Sequence, residues 1–125
     1  VLPRMKTDIV DVFNACVDGT LDQIELEFED NAAVCVVLAS DGYPVSYKKG
    51  YVIHGLDAFQ GKDGYYVFHA GTAVSPEGIV TNGGRVLGVT AKGASLKEAR
   101  ANAVKWIDFE NKYFRHDIGK AIDEA

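Results

Sequence analysis

The residues that could do chemistry here are three histidines, two cysteines and one arginine on a glycine turn. His54, His69 and His116 lie far apart in sequence, and no Gly-x-Ser-x-Gly elbow accompanies them. His69 stands out, because Phe68-His69-Ala70-Gly71-Thr72 places it at a strand end just before a glycine. Cys16 and Cys35 lack an activating neighbour and any zinc spacing, so two buried, reduced thiols are expected. The acidic residues are scattered over 22–30 and at Asp123-Glu124. They follow neither EF-hand nor His-Glu-x-x-His order, which reads as a solvated acidic face and not a metal site. Gly83-Gly84-Arg85 is too short for a P-loop, and Lys48-Lys49-Gly50 is no Walker motif. No lysine stands at the Asn82-Gly83 tip, as a biotin or lipoyl carrier would require.

The turn Thr81-Asn82-Gly83-Gly84-Arg85 remains, and it admits two readings. In one, backbone N–H groups without side chains sit beside a guanidinium and receive a small anion such as phosphate. In the other, the glycines serve turn geometry alone and Arg85 is solvated.

The elements that must position this turn follow from periodicity. Residues 7 to 18 predict a helix with Ile9, Val12, Phe13, Cys16 and Val17 on one face, capped by Thr7 or Asp8 and stopped by Gly19. Ile24 to Phe28 alternates like a half-buried strand, and Ala32 to Ala39 reads as a strand buried on both faces. Asp41-Gly42-Tyr43-Pro44 is turn chemistry. Val52-Ile53-His54 and Tyr65 to His69 are short strands. Gly78–Thr81 and Arg85–Thr90 are expected to form a hairpin through a type I′ turn at Asn82-Gly83. Ser95 and Glu98 fit a capping box for a second helix, which should run to about Asn111. The plan is α+β: a β-rich antiparallel sheet with one helix before it and one after.

Composition sets the bounds. The chain's 125 residues give room for one ordinary core. With 47% hydrophobic and 25% charged residues, disorder and membrane spanning are both disfavoured. Acidic residues outnumber basic ones 18 to 13, which argues against nucleic-acid binding. The chain opens Val1-Leu2-Pro3-Arg4, and its only methionine, Met5, directly precedes a helix; a segment of a longer protein is expected.

Several motifs together resemble one family. Gly42-Tyr43-Pro44 with Tyr47 and Gly50 comes first, then Val67 to Thr72, then Thr81 to Leu87, then Phe114-Arg115-His116-Asp117-Ile118-Gly119. Their order and spacing are similar to those of the phosphoribosylamine–glycine ligase (glycinamide ribonucleotide synthetase) family, of the ATP-grasp type. The opening Arg4 to Ile9 is similar to the segment after that family's catalytic core. Two positions depart from the pattern: Asp41 and Val45 stand where the family usually has glycine.

The resemblance implies a cytoplasmic enzyme of purine biosynthesis that joins glycine to 5-phosphoribosylamine at the expense of ATP, with Mg²⁺ or Mn²⁺ on the phosphates. It implies that the ATP- and metal-binding residues lie upstream, so this piece alone binds neither and is inactive. It places residues 1–28 as the tail of the ATP-grasp domain and 29–125 as the C-terminal domain, similar to a rudiment single hybrid module. The implied partners are the N-terminal and ATP-grasp domains of the same enzyme and its small substrates, with no nucleic acid or membrane. The candidate substrate-binding residues are Arg85, Gly84, Gly83, Lys49 and His69, and none is expected to be catalytic. The alternative is a stand-alone phosphometabolite-binding or structural interaction module on the same fold.

Overall fold

The computed structural model describes residues 1–122. Among the described residues there are two α-helices, α1 (Ile9–Asp18) and α2 (Leu96–Ala103), besides short 3-10 turns. The strands are β1 (Ala32–Ser40), β2 (Tyr65–His69), β3 (Thr72–Ser75), β4 (Gly78–Thr81), β5 (Arg85–Gly93) and β6 (Lys112–Tyr113). A four-stranded sheet has the order β2-β5-β1-β6, and β3 and β4 form a separate two-stranded sheet. All pairings are antiparallel, as the α+β plan requires.

The core forms where two apolar patterns meet. In β1 every second residue is buried, and Val34, Val36 and Leu38 pair with Ala91, Val89 and Leu87 of β5. Ala99 and Ala103 of α2 lie one helical turn apart, and both are fully buried in this core. Their small side chains let the helix approach closely; each fully buried Val or Leu beneath is worth roughly 1.5–3 kcal/mol. Ile53, Phe59, Ile107 and Phe109 close the edges. Ser95 Oγ accepts from the Glu98 N–H, and Glu98 Oε2 accepts from the Ala94 N–H, so the capping box forms with its return bond one residue early.

Several expectations are corrected. β1 is buried on one face only; Cys35 and Val37 point outward, because α2 covers a single side of the sheet. Cys16 and Cys35 are free, and both are exposed. Asn82-Gly83 is no hairpin turn: neither residue has positive φ, β4 pairs with β3, and β5 pairs with β1 and β2. The real hairpin joins β3 to β4 through Pro76-Glu77, with Ser75 Oγ accepting from Glu77 N–H. β3 itself was not expected.

Ile24 to Phe28 finds no sheet neighbour and makes only the Met5–Phe28 bridge, while Val52 and His54 make isolated bridges. α2 ends at Ala103, where Val104 leaves helical geometry; Ile107 then packs from the following loop. α1 is capped by the Asp8 carboxylate on Val10 N–H and ended by left-handed Gly19. Its apolar Val10, Phe13 and Val17 are exposed, and Ala15 is its one buried residue.

One polar cluster joins the N-terminal segment to the sheet. Lys92 Nζ donates to both Glu29 oxygens at 3.0 Å, Asn31 donates to Glu29, and Arg4 donates to Glu29 O. The Lys92 bond, then the Asn31 bond, hold the Glu29 carboxyl below the ordinary glutamate range; Glu29 in turn raises Lys92. With the folded pKa depressed, this link stabilises above the unfolded glutamate pKa and is lost as pH falls through the folded value. Glu29→Gln is therefore expected to lower thermal stability at neutral pH and to flatten its acid dependence as pH falls through and below the ordinary glutamate range. A melting-temperature series checks this; an unchanged acid slope contradicts it.

Candidate functional site

Arg85 reaches the open face of the sheet because of a β-bulge. Leu38 pairs with Leu87, but the next residue, Ala39, pairs with Arg85, so Val86 is extra. By strict alternation Arg85 would share the buried face of Leu87 and Val89. The inserted residue sends it to the opposite face, where Val37 and Gly88 lie, while Val86 and Leu87 are both buried.

The turn before Arg85 is fixed by backbone packing. A Cβ on Gly71 would lie 2.7 Å from both Gly83 Cα and Arg85 O. Asn82 N–H donates to Gly71 O at 2.7 Å, and Gly71 N–H donates to Arg85 O at 2.9 Å. Buried Ser40 holds the other side: its Oγ donates to Gly83 O and its N–H to Gly84 O, each at 2.8 Å. The Tyr43 ring occupies the space a Gly84 side chain would need. The glycines thus serve close approach and not left-handed turn geometry. Asn111 anchors the Tyr43 loop, accepting from Asp41 N–H and donating from Nδ2 to Lys48 O.

These constraints create a groove of about 560 Å³, with Arg85, Gly84 and His69 on its wall. Its floor is the cross-strand row Val37–Gly88–Phe68; Gly88 supplies the notch between two larger neighbours. His69 Nδ1 lies 3.0 Å from Thr72 Oγ1, which fixes the ring at the groove's edge. A contiguous depression of about 290 Å³ continues from Val37, Tyr43 and Arg85 to Tyr113, Arg115 and Ile118. Arg115 is paired bidentately with Asp117 at 3.0 and 3.2 Å. That bond and its charge hold the Asp117 carboxyl below the ordinary aspartate range and keep Arg115 firmly cationic.

Of the predicted site residues, Arg85, Gly84 and His69 line one groove. Gly83 lies behind it, locked against Gly71. Lys49 does not line it; its ammonium sits 6.0 Å from the Tyr47 ring. Arg115 and Ser40 were missed. Arg115 was visible within the Phe114-to-Gly119 motif, whereas Ser40 carried no sequence signal. Among the described residues no three His, Cys, Asp or Glu side chains converge on a possible metal position. The groove's polar donors are cationic or neutral, a set that does not fit Mg²⁺.

The model of the family "Phosphoribosylglycinamide synthetase, C domain" matches residues 33–121. The chain belongs to this family. The matched span includes Ser40, Tyr43, His69, Arg85 and Arg115 and begins after α1. A phosphoribosylamine–glycine ligase of Synechocystis is 48% identical over 95% of this chain and 29% of its own length. The ligase of Brucella melitensis is 43% identical over 95% of this chain, again 29% of that protein. The crystal structure of the Thermotoga maritima ligase superposes with a TM-score of 0.64 at 33% identity, covering 85% of this chain and 27% of that one. The chain therefore spans less than a third of the relatives it matches, and it corresponds to their C-terminal part.

Gly71→Ala is expected to cost about 1–3 kcal/mol by overpacking, since its new methyl would meet backbone on two sides. Denaturant unfolding of the variant measures it, and a neutral substitution would contradict the packing account.

Proposed function

We propose that this chain is the C-terminal wall of an ATP-dependent phosphoribosylamine–glycine ligase of the cytoplasm. The parent reaction would join glycine to 5-phosphoribosylamine, giving glycinamide ribonucleotide, ADP and phosphate. The observation that carries the reading is the bulge-directed Arg85 beside the Tyr43–Gly84 contact, within a span the family model matches. A guanidinium at the end of an apolar groove suits a ribose phosphate, to which it can donate two parallel hydrogen bonds. His69 would sit at the ribose side, and Gly84 would keep the wall thin. ATP and Mg²⁺ would be held by residues outside this chain.

Residues 1–28 would belong to the preceding ATP-grasp domain, which is the natural cover for Val10, Phe13 and Val17 of α1. The exposed Val37, Phe68, Tyr113 and Ile118 face would meet the enzyme's other domains. Among the described residues no helix is long and apolar enough to cross a membrane.

In the full-length enzyme, Arg85→Ala is expected to raise KM for phosphoribosylamine about tenfold or more, on the order of 1.4 kcal/mol, with KM for ATP unchanged. Steady-state kinetics with each substrate varied in turn test it; an unchanged phosphoribosylamine KM would assign Arg85 a structural role. The 125-residue chain alone is expected to release no ADP from ATP and glycine, and measurable turnover would overturn the division of labour.

A further inference from the structure

The ring of Tyr43 has a task in the fold, and its hydroxyl has none there. A Cβ on Gly84 would collide with the ring's Cγ, Cδ2 and Cε2, so the ring lies against that glycine. Tyr47 meets it edge-on, with centroids 6.0 Å apart and planes at 61°. A phenylalanine would make both contacts equally well. Among the described residues the Tyr43 hydroxyl has no hydrogen-bond partner, and Tyr43 stays 42% exposed.

The ring is presented from a fixed loop. Tyr43 N–H donates to Ser40 O at 3.1 Å, and the N–H groups of Val45 and Ser46 both donate to Gly42 O. Gly42 has a φ of +92°, and a side chain there would run into Ser46 O. Ser40 therefore serves two side chains: its carbonyl accepts from Tyr43, while its hydroxyl and N–H hold Gly83 and Gly84 before Arg85. The hydroxyl oxygen is two bonds beyond Cε2, so the phenol ends beside the residue that precedes Arg85. Both side chains line the groove and its apolar continuation. No aspartate or glutamate lines either space, and among the described residues the Arg85 guanidinium has no ion pair.

On the reading that Arg85 receives the substrate's phosphate, we infer that Tyr43 is a second contact residue, whose hydroxyl donates to the phosphate oxygen that Arg85 leaves open. A phosphate monoester presents three terminal oxygens, and a bidentate guanidinium engages two of them. An O–H donor facing the third makes a short, charge-assisted bond without adding a second cation. The pair also sets specificity, because a sugar without the phosphate leaves both donors unpaired.

Tyr43→Phe in the full-length enzyme keeps the ring on Gly84 and removes only the hydroxyl. It is expected to raise KM for phosphoribosylamine about tenfold, with kcat, KM for ATP and melting temperature unchanged. An unchanged phosphoribosylamine KM overturns the contact. A lowered melting temperature with both KM values raised alike overturns it too, since that pattern marks ring packing. Arg85→Ala, measured beside it, separates the two levels. A raised KM there, with Tyr43→Phe at the wild-type value, sinks the phenol contact alone. A wild-type KM in Arg85→Ala sinks the phosphate reading and this contact with it.

Discussion

The backbone contact between Gly71 and Gly83 is the constraint on which the site depends. Two chain segments meet with no side chain between them, and hydrogen bonds on either side of the contact lock their register. One segment leaves the central sheet after β2, and the other returns to it before β5. Because the two are fixed together, the first residues of β5 begin at a set height. The Val86 bulge then turns Arg85 outward. Ser40 repeats the constraint from β1, so the arginine's base is held by two other stretches of chain. A guanidinium carries substantial rotamer entropy, and a fixed base reduces what must be lost on binding an anion.

The sheet has two different faces, and that asymmetry divides the molecule's tasks. The α2 face holds the core, built from Val36, Leu38, Leu87 and Val89 against two buried alanines. The other face leaves Val37, Phe68 and Tyr113 in solvent around a glycine notch. Exposed apolar side chains gathered along one face mark a surface for contact and not a random scatter. The family's longer relatives supply the remaining chain that such a face would meet. α1 shows the same condition more plainly, since its cap and stop residues are in order while its apolar stripe is uncovered.

What the sequence made legible was local. The Ser95 cap, the Asp8 cap, the Gly19 stop, β2 and β4 all follow from residues within a few positions of one another. What it hid was relational. Asn82-Gly83 has the composition of a hairpin, yet its glycine answers Gly71, twelve positions earlier, which touches it only in the fold. The run Ala32 to Ala39 is apolar throughout, and nothing in it tells which face another domain would cover. Ile24 to Phe28 alternates properly but has no neighbouring strand to pair with, and alternation alone makes no sheet. Among the site residues, Arg85 and His69 were readable from motif and glycine context. Ser40 was not, because a serine in a strand carries no sign of a partner 43 residues away.

The central claim is that the bulge and the glycine contact aim Arg85 at the substrate's phosphate. A crystal structure of the full-length enzyme with glycinamide ribonucleotide bound tests it most directly. The account predicts the Arg85 guanidinium within about 3 Å of two phosphate oxygens, with the Gly71–Gly83 contact and the Val86 bulge retained. A bound phosphate on another arginine, with Arg85 turned to solvent, would contradict it.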